Sequence, residues 1–171
     1  MAEVLLRDAL ASRGIPAEVQ SSGTVAAGKP AAGEVIELMA ARGLDVSGHL
    51  RQITTPEQLG WAAQVLAMAN DHLKVSVVLA PHTFERTFLL REIVAAIEEM
   101  GPREPDETLP AYISRLGEGR TKADFLRVQP DLDVADPIGR RMKVFRATAA
   151  ERDDLTARLV DGLAPGQADG V

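Results

Sequence analysis

Cysteine is absent from all 171 residues. That absence removes disulfides, thiolate chemistry within these residues, iron–sulfur clusters and every zinc site built on Cys. Aromatic residues are scarce as well, at 4%. No apolar run approaches the ~18–20 residues that span a bilayer. Glu3, Arg7 and Asp8 interrupt the stretch where a signal peptide needs an unbroken apolar core, so a soluble, cytoplasmic protein with no membrane partner is expected. Positive charge is in the minority. Nineteen Lys and Arg face 25 Asp and Glu, and the net charge of −6 has the wrong sign for a broad nucleic-acid face. What remains is an ordinary chain, 46% hydrophobic and 26% charged. Folding at this length buries roughly 70% of the unfolded surface, enough to dispense with covalent or metal staples.

The pattern alternates helix and strand, which predicts an α/β fold with a mostly parallel sheet. Ala2, Leu5, Leu6, Ala9 and Leu10 share one helical face, with Gly14 where a C-terminal cap belongs, and no capping residue precedes them. Ala17–Ser22 reads as a short strand, and Pro30 as the opening of a second helix that ends at Gly43. Thr55-Pro56-Glu57-Gln58 is a capping box with Pro at the first helical position. Val65–Met68 and Lys74–Ala80 are β-branched apolar runs that read as buried parallel strands. Further helices are expected over Phe88–Met100 and Thr148–Leu163. Residues 1–163 are read as one domain with a surface excursion at about 102–130, and 164–171 as a flexible tail.

Most candidate motifs fail on their chemistry. Gly23-Thr-Val-Ala-Ala-Gly28-Lys29-Pro30 nearly matches a nucleotide phosphate loop, but Pro30 offers neither the hydroxyl that holds Mg²⁺ nor an N–H. Asp131, Asp133 and Asp136 invite a calcium reading, yet Asp136 and Met142 stand where the loop needs Gly and Glu. His49, His72 and His82 are scattered, without metal-ligand spacing. There is no Gly-x-Ser-x-Gly elbow. Arg140, Arg141, Lys143 and Arg146 form a basic cluster that reads as a solvated helix face or as a steering patch for an anionic substrate. Pro137 forces Asp136 into an extended conformation, and Gly139 lets the chain reverse. A carboxylate presented on such a turn suits a general acid, and Asp-Pro is equally an ordinary turn pair.

Six stretches in order resemble the low-molecular-weight protein tyrosine phosphatase family. They are Met1-Ala-Glu-Val-Leu-Leu, Ser21-Ser22-Gly23-Thr24, Gly28-Lys29-Pro30-Ala31, Arg42–His49, Val65–Met68 with Asp71-His72-Leu73, and Asp133–Gly139. Arg86–Glu92 and the excursion after it resemble a bacterial, actinobacterial-looking branch. The resemblance implies a flavodoxin-like three-layer sandwich with a parallel sheet. It implies phosphomonoester hydrolysis through a cysteinyl-phosphate, with a phosphotyrosine protein or a small phosphomonoester as substrate, and no cofactor or metal. The catalytic general acid maps onto Asp136. Ser22 and His49 map onto residues that support the catalytic loop by hydrogen bonds.

One departure is severe. The family's first, central strand and its Cys-x5-Arg-Ser-Pro phosphate-binding loop are absent from the chain, and no Cys stands elsewhere to replace the nucleophile. A milder one is Ala69, where many members carry Asp. The chain is therefore expected to be inactive as given, either as an N-terminal truncation of a phosphatase or as a non-catalytic pseudophosphatase acting as a binding or regulatory module. The retention of Asp136, Ser22 and His49, a start at a Met common just after the loop, and the loss of a central strand favour truncation. A gap in the sheet further implies self-association through it.

Overall fold

A computed structural model of the protein describes residues 1–25, 27–121, 123–124 and 127–164. Among them the fold is α/β with parallel strand pairing, as the sequence pattern predicts, and helices dominate. In chain order these are α1 (Ala2–Ser12), α2 (Gly33–Ala40), α3 (Pro56–Trp61), β1 (Val65–Ala67), α4 (Asn70–Leu79), β2 (Thr87–Leu89), α5 (Leu90–Met100), α6 (Leu109–Leu116) and α7 (Met142–Leu163). The chain divides into two compact units, Met1–Thr54 with Ala135–Ala157 and Thr55–Val134 with Arg158–Val171. The expected flexible tail lies outside the described residues from 165 onward. No helix among the described residues is long and apolar enough to cross a membrane.

In the first unit, α1 ends as its sequence dictates. Gly14 takes φ +66°, its N–H donates to the Ala11 carbonyl, and the Ile15 N–H reaches back to Leu10. Gly43, at φ +76°, closes the segment after α2 the same way. Leu5, Met39, Val46 and Ala149 form the buried centre, with Val4, Val35, Ile36 and Leu44 packed against it. Pro30 does not open α2, which begins at Gly33 instead. A bridge to Leu50 holds Pro30 extended, flanked by Gly28 N–H to Arg51 O and Arg51 N–H to Lys29 O. Residues 17–22 form no strand; pairing begins at Gly23, in a parallel bridge with Ile53. Helix α7 starts at Met142, six residues before the predicted Thr148. Phe145, Thr148 and Ala149 are already buried at helical spacing, a stripe masked in the sequence by the surrounding arginines.

In the second unit, the Thr55 capping box forms as read: the Thr55 hydroxyl accepts from Gln58 N–H, and the Gln58 side-chain Oε1 accepts from Thr55 N–H. Strands β1 and β2 pair in parallel, Val65 with Thr87, Leu66 with Phe88 and Ala67 with Leu89. Thr87–Leu89 therefore belongs to a strand, and the helix expected from Phe88 begins at Leu90. The larger correction is Lys74–Ala80, predicted as a strand and found within and just after α4. Its buried residues are Asn70, Leu73, Ser76, Val77 and Ala80, at three- and four-residue steps rather than alternating. The cap of this helix lies outside the segment. Ala69, at the N-cap, has no side-chain acceptor, and Asp133 supplies one: its Oδ1 accepts from the Asn70 backbone N–H at 2.7 Å and from Asn70 Nδ2 at 2.6 Å.

Helix α5 buries Leu90, Ile93, Val94 and Ile97. Near the end of α7, Gly162 lies against Ile97, and a Cβ added there would sit 2.4 Å from Ile97 Cγ2. Because Ile97 is β-branched and 7% exposed, it has little room to yield. Gly162→Ala is therefore expected to destabilise the protein by about 1–3 kcal/mol, although Ala is the better helix former. A urea midpoint equal to or above the parent's would show that the helices separate at no cost.

Candidate functional site

Three segments of the first unit gather round the opening turn of α1. Glu3, in that turn, accepts hydrogen bonds from the Ser21 hydroxyl and from Arg7. His49 Nδ1 lies 3.7 Å from Glu3 Oε2. The loop that carries His49 is set by its own sequence, with Asp45 Oδ1 accepting from Ser47 N–H at 2.8 Å and His49 N–H bonding Val46 O. Glu3, Arg7, the 17–21 segment, Gly48, His49, Leu50 and Gln52 line an open cavity of about 770 Å³. Ser22 stands next to this group but turns to Thr54, its hydroxyl 2.9 Å from Thr54 Oγ1, while Thr54 N–H donates to Gly23 O.

Asp136 is outside that cavity, on the turn its sequence predicts. Its Oδ1 accepts from Ile138 N–H at 3.0 Å, Arg140 N–H bonds Pro137 O, and Gly139 has φ +74°. The carboxylate is exposed. Arg152 anchors the turn from α7: Nη2 donates to Ala135 O at 3.3 Å and Nη1 lies 3.9 Å from Met1 Sδ, at the head of α1. Burial holds the Arg152 guanidinium below its ordinary pKa, against the opposing attraction of Asp136 and Glu151. Its Nε is buried without a hydrogen-bond partner among the described residues. Asp136 and His49 are thus linked through the first turn of α1, one by way of Arg152 and Met1, the other by way of Glu3. Met1, at the N-cap, makes no side-chain capping bond to that turn, and Glu3 is the acid in it.

Sequence reasoning found Asp136, Ser22 and His49 but not Glu3, Thr54 or Arg152. Glu3 and Arg7 stand four apart, a visible helical pair. Nothing local marks Arg152, which finds its partners only through the packing of α7.

Burial pushes the Glu3 carboxyl up, but the hydrogen bonds from Ser21 and Arg7 outweigh it and hold its pKa below the ordinary 4.5. A carboxylate with a lowered folded pKa stabilises the fold fully above its unfolded value, and that contribution is lost as pH falls through the lowered one. Glu3→Gln should accordingly be less stable than the parent at pH 7, with the gap closing as pH drops below 4.5. Denaturation midpoints across that range check this; a pH-independent gap would mean that the Glu3 charge contributes nothing.

Residues 1–112 match the model of a known family, Low molecular weight phosphotyrosine protein phosphatase. The chain belongs to that family. A curated relative, the protein-arginine-phosphatase of Geobacillus stearothermophilus, is 26% identical over 147 residues, covering 85% of this chain and 76% of the relative. Among solved structures, the low molecular weight protein tyrosine phosphatase from T. tengcongensis superposes with a TM-score of 0.71 at 26% identity, covering 95% of this chain and 88% of that one. The arginine phosphatase from Geobacillus stearothermophilus gives 0.64 at 25% identity, over 93% and 80% of the two chains. The family match ends before Asp136, and the structural likeness to the T. tengcongensis enzyme extends over nearly the whole phosphatase-family chain.

Proposed function

We propose that the chain carries the general-acid and loop-supporting part of a protein phosphatase that hydrolyses phosphotyrosine through a cysteinyl-phosphate. The observation that supports this reading is the arrangement about the first turn of α1: Glu3 accepts from Ser21 and lies 3.7 Å from His49, and Arg152 links Ala135, next to Asp136, to Met1. A helix N-terminus receives the phosphate oxygens. A thiolate from a Cys-x5-Arg loop displaces the leaving oxygen, to which Asp136 donates its proton; the Asp136 carboxylate then takes a proton from water as it hydrolyses the thiophosphate ester. Arg152 positions the turn that presents Asp136. Ser22, whose hydroxyl pairs with Thr54, and His49, 3.7 Å from Glu3, are the residues that would support that loop by hydrogen bonds.

A second reading concerns the leaving group alone. The Geobacillus relative is named a protein-arginine-phosphatase, and departure of a guanidine nitrogen from phosphorus needs the same protonation. Comparing phosphotyrosine and phosphoarginine peptides separates the two.

None of the 171 residues is Cys, so the chain alone supplies no thiolate and is expected to leave p-nitrophenyl phosphate unhydrolysed above buffer. Turnover that survives metal chelation would overturn the cysteinyl-phosphate mechanism.

A further inference from the structure

Beside Asp136 the charge of the chain reverses. Residues 136–147 hold Arg140, Arg141, Lys143 and Arg146 against the single acid Asp136, in a protein of net charge −6. All four basic side chains are exposed. In the same unit the exposed Arg7 and Arg42 pair with Glu3 and Asp153, whereas no ion pair among the described residues engages any of these four. They also stand where local physics disfavours them. Arg141 directly precedes α7, Lys143 is in its first turn, and no acid stands there to answer the positive end of the helix dipole. Local rules broken without a structural return are expected where a sequence serves binding. Ile138, 55% exposed, and Val144, 37% exposed, add aliphatic surface within the same stretch. The one aromatic residue there, Phe145, is 1% exposed, so the patch offers no ring for base stacking.

We infer that Arg140, Arg141, Lys143 and Arg146 form a docking surface for an acidic peptide segment flanking the phosphorylated residue of a protein substrate. The inference deepens the phosphatase reading and rests on it for the word substrate. The four cations meet Asp and Glu side chains, and Ile138 and Val144 take the aliphatic parts between them. Such contacts are exposed and long-ranged, so they weaken with salt and act on capture of the substrate more than on the chemical step.

The test uses the 171-residue chain and two fluorescent 12-residue peptides, each with one phosphotyrosine, one flanked by five Asp or Glu and the other by Asn and Gln. Anisotropy at about 50 mM salt should show the acidic peptide binding at least ~10-fold tighter, a preference that shrinks toward 300 mM as the Debye length shortens. The quadruple variant R140Q/R141Q/K143Q/R146Q should lose the preference without a fall in Tm, since cations at a helix N-terminus do not support the fold. Equal affinity for the two peptides, or a preference that survives in the variant, overturns the inference. So does an oligothymidylate of matched charge binding as tightly as the acidic peptide, which would make the patch a general polyanion sink. Hydrolysis is not the readout. Equal affinity of the parent chain for the two peptides overturns this docking surface alone, and failure of the catalytic experiment in the Discussion overturns the phosphatase reading alone.

Discussion

With a hydrophobic strand and a Cys-x5-Arg-Ser-Pro loop fused ahead of Met1, the chain should hydrolyse phosphotyrosine peptides, and Asp136→Asn should then slow that turnover by about 10²–10⁴-fold. The carboxyl is exposed on a turn fixed by Pro137, Gly139 and the Ile138 N–H, and Arg152 ties that turn to the head of α1. Asn keeps the turn's acceptor and removes the proton. Because the phenolic oxygen needs that proton as the P–O bond breaks, the defect should shrink with esters whose leaving groups have low pKa. A stability gain should accompany the added strand. Strand β1 pairs with β2 alone among the described residues, which leaves an edge for an added strand. An extended protein that folds but turns over phosphotyrosine equally well with Asn at 136 would reduce Asp136 to a turn residue. No turnover at all from the folded extended protein would remove the phosphatase reading itself.

Arg120→Ala should produce the largest loss of stability in the second unit. Its guanidinium lies 3.9 Å from the centre of the Phe88 ring and 5.0 Å from that of Phe84. Nε pairs with Glu92 Oε1 at 2.8 Å, and Nη2 donates to the Thr87 carbonyl at 2.7 Å. Glu92 uses its other oxygen to accept the Leu89 N–H at the head of α5, so one arginine ties β2, α5 and the segment after α6 together. Burial lowers the Arg120 pKa, with Glu92 opposing, which marks the charge as substantially desolvated. Removing one partner of such a pair leaves the other uncompensated. Because both side chains retain some exposure, at 15% and 24%, about 3 kcal/mol is expected, near the low end for a buried pair. That corresponds to a fall in Tm of roughly 6–12 °C at this chain length. Arg120→Met keeps the apolar stem against the rings and should lose less. Equal loss from both variants would assign the effect to the charge alone, and no loss from either would show the stack to be incidental.

Much of the local structure was legible because its causes lie within a few residues. The Thr55 box, the glycines at 14 and 43, and the Asp136-Pro137 turn each depend on backbone angles and hydrogen bonds that neighbouring residues impose. Short apolar runs were not decided that way. Val65–Ala67 is a strand and Lys74–Leu79 a helix, though both are aliphatic, because a run of that length fits either period. The helix takes its cap from Asp133, 63 residues from the Asn70 N–H it accepts.

The candidate site divides along the same line. Asp136, Ser22 and His49 were found from an ordered pattern that resembles a family, and the absence of Cys set from composition alone what these residues cannot do. Their surroundings belong to the tertiary structure: Glu3 between Ser21 and His49, Arg152 between Ala135 and Met1, Gly162 against Ile97 and Arg120 over two phenylalanine rings. None of these has a spacing rule. Each pairs groups far apart in the chain, where the entropy of loop closure grows only slowly with length and leaves many partners nearly equivalent. Packing breaks that degeneracy, because a buried charge or a missing Cβ is tolerated only where one particular neighbour completes it.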